Sequence, residues 1–298
     1  MKKLQGNLLL LLAAFIWGTA FVAQSVGLQT VGPFSFNCVR MLIGSLALLP
    51  VIFFLRRKRA QQGFSRRTLW LAGLACGTFL FLASSLQQVG LLYTTPGKSG
   101  FITAMYVVLV PIFGIFLKKR PSLTVLFSVA LAAVGMYFLC ITESFTMELG
   151  DLLTLVCACF FAGHILVIDR FSDRVDGVCL SAVQFFVCGL LSLLPALFLD
   201  PLLFSRPPQL SQLLGAWLPL LYTGVLSCGC AYTFQILGQK HTEPAVASIL
   251  MCLESVFAVL GAMVILSQVP TPNEIAGCVL IFIAIVLAQY QPSHKHAR

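Results

Sequence analysis

Gln87-Gln88-Val89-Gly90-Leu91-Leu92-Tyr93-Thr94-Thr95-Pro96 returns later in the chain as Gln235-Ile236-Leu237-Gly238-Gln239-Lys240-His241-Thr242-Glu243-Pro244. Glutamine, glycine, threonine and proline keep the same four places in both copies. Each copy closes one long apolar segment and opens the next, and each preceding segment begins near a tryptophan, Trp70 or Trp217. Proline suits the first turn of a helix, where its missing N–H costs nothing, so both copies read as turns of tight antiparallel helical hairpins. A chain that repeats such a unit has been duplicated. In duplicated membrane bundles the function is expected where the copies meet.

The segments around these turns identify the solvent. Apolar residues make up 59% of the 298 and charged residues 10%, where a water-soluble domain runs nearer a quarter charged. Ten helical spans are expected, at 6–26, 34–55, 69–92, 97–117, 123–142, 150–168, 178–199, 214–238, 245–267 and 273–291. Each is close to the ~20 residues that cross ~30 Å of hydrocarbon. The apolar runs are continuous rather than alternating, which argues against membrane strands. The connections are short. The longest, 56–68 and 200–213, are too small to build a separate catalytic domain.

The start of the chain imitates a secretory signal, with Lys2-Lys3, an apolar run from Leu8 and small residues at Gly18-Thr19-Ala20. The imitation fails on one point. Gly6, Leu8, Leu9, Leu11 and Ala14 recur 144 positions later as Gly150, Leu152, Leu153, Leu155 and Ala158. The first span therefore has a counterpart inside the chain and is expected to be kept.

The expected fold is an all-α integral membrane protein whose ten helices form two five-helix repeats. The first repeat spans 1–143 and the second 150–291, followed by a tail at 292–298. Five is odd, so the second repeat enters the membrane from the opposite side and is inverted. Inverted repeats suit alternating access, because one design then supplies a gate for each face.

The net charge of +9 requires no nucleic acid. With both termini in the cytoplasm, one side holds Lys2, Lys3, Arg56, Arg57, Lys58, Arg59, Arg66, Arg67, Lys118, Lys119, Arg120, Arg170, Arg174, Lys240, Lys295 and Arg298. The other side keeps Lys98 and Arg206. This is the positive-inside asymmetry of a multi-pass protein of the cytoplasmic membrane. The eleven cysteines lie in or beside the spans and are expected as free thiols. Cys157 and Cys159, like Cys228 and Cys230, point to different faces of a helix, so no metal is expected.

Polar side chains at membrane depth need a reason to be there. Glu254 lies ten residues past Pro244, ~15 Å into its span. Tyr106 lies ten residues past Pro96, so duplication places the two at matching depths on paired spans. A carboxyl at that depth can load and unload a proton, or it can hydrogen-bond a neighbouring helix. Arg40, six residues into the second span, can snorkel to the surface, pair with a substrate anion or act at a gate. Its counterpart is Gln184, so the fold does not need the charge twice. His164 can pass protons or join two helices. Trp17, Asn37, Gln87, Thr103, Tyr232 and Gln235 are candidates to line a polar cavity, and Tyr93 suits the interfacial aromatic belt. Lys98 reads as a cap or an attractor of anions. No Gly-x-Ser-x-Gly, His-Glu-x-x-His or phosphate-cradling loop occurs, so neither an enzyme of those classes nor a nucleotide-driven pump is expected.

Ala14-Phe15-Ile16-Trp17-Gly18-Thr19-Ala20-Phe21, Phe36-Asn37-Cys38-Val39-Arg40, the repeated hairpin turns and Leu253-Glu254-Ser255-Val256-Phe257 together resemble the drug/metabolite transporter superfamily, EamA branch. The last stretch is similar to the family's Leu-Glu-Pro-Val-Phe, with Ser255 in place of the proline. The resemblance runs from about residue 6 to 290. It implies a ten-helix carrier that exports small organic metabolites through a central cavity in which spans 3, 4, 8 and 9 are prominent. Two departures stand out. Leu117-Lys118-Lys119-Arg120 and Leu266-Ser267-Gln268-Val269 occupy the places where such chains often carry Leu-Gly-Glu, so no coupling role transfers there.

The sequence therefore predicts a secondary transporter of amino acids, amines or related compounds. It is expected to work as a monomer or homodimer in the lipid bilayer without a cofactor, with protons as the candidate coupling ion. An intramembrane lipid-modifying enzyme built on His164, Glu254 and Arg40 is the alternative, followed by a non-transporting partner subunit.

Overall fold

A computed structural model describes residues 2–60, 64–94, 96–118, 121–140, 148–204, 209–257, 260 and 271–289. The expected tail at 292–298, the end of the ninth span, the stretch 266–269, and Lys119, Arg120 and Arg206 of the charge pattern lie outside the described residues.

Every expected span is helical over most of its described length, and the described residues contain no strand. The helices are α1 (Lys2–Leu28), α2 (Pro33–Ala60) and α3 (Arg66–Gly90), then α4 (Pro96–Ala104) and α5 (Tyr106–Phe116) within one pass. They continue with α6 (Leu123–Cys140), α7 (Leu149–Phe171) and α8 (Gly177–Phe198). Two short helices, α9 (Asp200–Phe204) and α10 (Leu210–Gly215), fill the connection expected as a loop at 200–213. The eighth pass runs through α11 (Trp217–Leu221), a π-helical stretch (Tyr222–Tyr232) and α12 (Thr233–Gln239). α13 (Pro244–Met251) and α14 (Pro272–Gln289) belong to the last two passes. Seven of these passes are long and apolar enough to cross a bilayer. Three shorter apolar helices, Leu123–Phe138, Pro244–Phe257 and Ile275–Ala288, stand where the fifth, ninth and tenth spans are expected.

The distribution of polarity is that of a membrane protein. Phe54, Phe116 and Leu123 are at least 80% exposed, while Asn37, Ser84, Gln88, His164 and Gln184 are completely buried. Such an apolar skin is stable against lipid, and the interior polar groups then need one another.

The helices start where local chemistry supplies a cap. Ser65 accepts the Thr68 N–H at the start of α3, and Asp176 accepts the Cys179 N–H at 2.9 Å at the start of α8. The start of α2 is capped from far away. Asp200 accepts the backbone N–H groups of Phe34 at 3.1 Å and Ser35 at 2.7 Å. Burial pushes the Asp200 carboxyl up, against the opposing effect of these bonds. Gly32 permits the approach, because a Cβ there would lie 2.4 Å from the Asp200 carboxyl carbon. Asp200→Ala should cost about 1–2 kcal/mol, the usual effect of losing a cap, read as a lower unfolding temperature in detergent. An unchanged temperature would remove Asp200 from this role.

Most helix packing joins the two halves. α2 lies against α8 and α6 against α14. α3 packs on α7 and α8, and the eighth pass packs on α1 and α2 in the same way. Exchanging the halves thus turns each contact into another observed contact. At the two ends of the bundle this relation brings glycines together. Gly90 meets Gly150, and Gly238 meets Gly6, with any added Cβ 2.6–3.0 Å from the opposing carbonyl oxygen. All four glycines belong to the repeats read from the sequence.

Three passes are irregular. α4 and α5 are separated at Met105, whose N–H bonds back three residues to Ile102. The ninth pass breaks at Cys252, after α13, and Ser255 N–H likewise bonds back three residues, to Cys252. The π-helical stretch occupies the centre of the eighth pass. Glycine permits its close packing on α2, since a Cβ on Gly224 would meet Ile43 and the Arg40 carbonyl.

Candidate substrate site between the two halves

The breaks deliver the candidate residues. Tyr106 is the first residue of α5, immediately after Met105, and Glu254 is the second residue after the Cys252 break. The Tyr106 hydroxyl donates to Glu254 Oε1 at 3.2 Å. Both side chains are buried, 4% exposed each. Interrupted helices are a recurring way to place polar groups at mid-membrane, because non-helical turns are tolerated where they line a cavity.

A central cavity of about 40 Å³ lies beside this pair, lined by Trp17, Phe21, Gln24, Arg40, Gln87, Thr103, Tyr106, Phe161, Ile165, Ser227, Tyr232, Gln235, Met251 and Glu254. Both halves contribute. The volume suits a few water molecules, each needing ~10–15 Å³, rather than an organic molecule. In this state the site is therefore closed around its own side chains. A second hollow of about 540 Å³ opens at the end of the bundle that carries the Thr242 turn, between the end of α5, the end of α7 and residues 239–245.

Arg40 departs from the expectation of a snorkelling side chain. It is 3% exposed and turned inward. Its Nη1 donates to Gln24 Oε1 at 2.7 Å, and Nε and Nη2 donate to Asn37 Oδ1 at 3.1 and 2.9 Å. Asn37 in turn donates to Ser84 and Ser192, both at 3.0 Å, and Gln88 donates to Gln24. The guanidinium also stands 5.9 Å over the Phe36 ring. Three hydrogen bonds to Gln24 and Asn37 hold it at depth, since a buried guanidinium needs its donors matched.

The remaining expected residues divide. Gln87 donates to Thr103 at 3.1 Å within the cavity wall. Trp17 packs edge-on against Tyr232, ring centroids 4.8 Å apart. The Trp17 indole N–H and Gln235 Oε1 are buried without a protein partner, so the wall retains one donor and one acceptor. Asn37 and His164 do not line the cavity. Asn37 positions Arg40. His164 shares a hydrogen bond with Gln184 at 2.9 Å and touches the edge of Tyr232.

Sequence reading passed over Gln24 and Gln88, which complete the Arg40 network, and Asp151, which binds Thr94 and Lys98. Gln88 was masked by its neighbour Gln87, which the repeat highlights. The two amides are one residue apart and face different helices. Asp151 offered one signal, because it stands where the first repeat has Asn7.

Known proteins place this arrangement in context. A solved structure described as "Crystal structure of protein" superposes with a TM-score of 0.76 at 20% identity, covering 95% of this chain and 96% of its own, and so shares the fold. An uncharacterized transporter of Archaeoglobus fulgidus is 33% identical over 292 residues, 96% of this chain and 86% of the relative. The uncharacterized transporter YwfM of Bacillus subtilis is 24% identical over 292 residues, 96% of this chain and 94% of that one. Residues 4–141 and 148–290 each match the EamA-like transporter family. With both halves matched and the membrane architecture in place, this chain belongs to the EamA-like transporter family.

Proposed function

We propose that the protein is a secondary, alternating-access carrier that moves amino acids, amines or related small metabolites out of the cell across the cytoplasmic membrane. The observation that carries this reading is the central cavity, where two interrupted passes from opposite halves bring Tyr106 and Glu254 together. The halves, 1–143 and 150–291, act as inverted repeats, and their exchangeable contacts support that assignment. Both termini are cytoplasmic. Lys240 lines the hollow beside Thr242, and the described basic residues Arg66, Lys118, Arg170 and Arg174 stand at helix ends that the positive-inside rule assigns to the cytoplasm, which supports taking the Thr242 end as the cytoplasmic face.

Substrate binds beside Glu254, where the indole N–H of Trp17 and Oε1 of Gln235 offer unused hydrogen bonds. Glu254 also serves as the site for a coupling proton. The lipid-modifying alternative draws less support, because His164 is bonded to Gln184 and does not face the cavity with Glu254 and Arg40.

The test is flux. Purified protein in liposomes, given labelled neutral and basic amino acids and amines, should produce saturable, protein-dependent movement of at least one compound that responds to an imposed proton gradient. Lipid turnover without solute movement would instead support the enzyme. Solute movement indifferent to protons would retain the carrier and remove the coupling ion.

A further inference from the structure

The two mouths of the bundle are closed by the same architecture but with unequal chemistry. At the end carrying the Thr94 turn, Asp151 at the start of α7 is completely buried. Its Oδ1 accepts from the Thr94 hydroxyl at 2.7 Å, and its Oδ2 lies 2.5 Å from Lys98 Nζ. The Glu148 backbone N–H donates to the same oxygen at 2.9 Å, which fixes the carboxylate on its own helix. Thr94 and Lys98 belong to the first half and Asp151 to the second, so this contact ties the halves together.

At the opposite end the repeat puts Asn7 in the place of Asp151, Thr242 in the place of Thr94 and Val246 in the place of Lys98. Thr242 donates to Asn7 Oδ1 at 3.1 Å. The geometry is conserved between the ends and the charges are not. Charge-assisted hydrogen bonds are about twice as strong as neutral ones. The hollow of about 540 Å³ lies beside this uncharged clasp, with Thr242 in its wall together with Asp169, Asp173, Lys240, His241 and Glu243.

We infer that Asp151, Lys98 and Thr94 form the extracellular latch of the carrier, and that the neutral Asn7–Thr242 clasp makes the cytoplasmic mouth the one that opens at rest. The inference rests on the carrier reading and adds to it a direction. A resting state held shut outside and open inside collects its cargo from the cytoplasm. A ligand moves such an equilibrium by its differential affinity for the two states, and so does a latch present in one of them.

Amide hydrogen exchange in lipid nanodiscs tests the latch without knowledge of the substrate. Asp151→Asn and Lys98→Gln should each raise exchange around residues 90–98 and 148–155 by about tenfold, the difference between a charged and a neutral clasp. Exchange around residues 236–246 should fall in the same variants, because the two mouths open alternately. Asn7→Asp places a carboxylate in the opposite clasp and should raise protection at 236–246. The exchanged pair Lys98→Asp with Asp151→Lys should restore protection at the first site, which a loss of folding would not do. Equal loosening at both ends, or no change in either single variant, overturns the latch. If the variants respond as expected while the wild-type protein moves no solute in liposomes, the latch stands and the carrier reading falls.

Discussion

Glu254→Gln should lower solute flux in proteoliposomes by at least about tenfold and erase its dependence on a proton gradient, while leaving thermal stability nearly unchanged. The asymmetry follows from the local geometry. Tyr106 donates to Oε1, and glutamine keeps an oxygen at that place, so the hydrogen bond and the packed volume survive. The substitution removes the capacity to ionise. It also puts an amide where a cationic or proton-bearing partner is expected, and mispairing a buried group costs ~1–3 kcal/mol. Tyr106→Phe is the milder companion. It leaves the carboxyl in place without its donor and should reduce flux less than Glu254→Gln. Flux and proton dependence both unchanged in Glu254→Gln would exclude Glu254 from transport.

Arg40→Leu is expected to have the largest effect on stability. The guanidinium holds three hydrogen bonds to Gln24 and Asn37 in a site that is 3% exposed. Removing it orphans Asn37 Oδ1, leaves Gln24 Oε1 with Gln88 as its donor, and frees Asn37, which also joins α2 to α3 through Ser84 and to α8 through Ser192. One orphaned buried acceptor and one weakened one cost about 2 kcal/mol, a fall on the order of 5 °C in unfolding temperature. Arg40→Lys should recover only part of this, since an ammonium cannot present a planar fork to Asn37 Oδ1. Thermal unfolding of both variants in the same detergent checks the ranking. A full rescue by lysine would show that charge matters here and geometry does not. Lost flux with unchanged stability would move Arg40 from the scaffold to the substrate.

The two residues illustrate different degrees of legibility. Glu254 and Tyr106 were recognisable because both are counted from a proline whose position the repeat marks, and helix rise converts that count into depth. Their mutual hydrogen bond was not legible, since equal depth on paired spans does not fix contact. Arg40 was recognisable as an anomaly, but its role was not. Snorkelling, pairing with a substrate anion and action at a gate all fit a lone arginine six residues into a span. The partner that turns it inward, Gln24, lies sixteen residues away on another helix. His164 had two readings, a carrier of protons or a link between helices, and its bond to Gln184 on α8 has the form of the second.

The irregular backbone was hidden for a related reason. Tyr222–Tyr232 is rich in weak helix formers, Gly224 and Gly229 among them, but propensity does not distinguish a π turn from an α turn. Its hydrogen bonds shift to the wider spacing where Gly224 and Cys228 press against Ile43 and Gly44 of α2. Such π turns tend to occur at functional sites, and Ser227 and Tyr232 of this stretch face the cavity.

From the amino-acid order alone came the bilayer, the helical class and the motifs repeated in the two parts of the chain. Each depends on hydropathy, spacing or self-similarity, which are properties of the chain read in one dimension. Tertiary structure decided which polar side chains meet: Arg40 with Gln24 and Asn37, His164 with Gln184, and Asp151 with Lys98. In an apolar medium a buried polar group is satisfied by whatever partner packing brings within about 3 Å, and that partner sits on a helix distant in the chain.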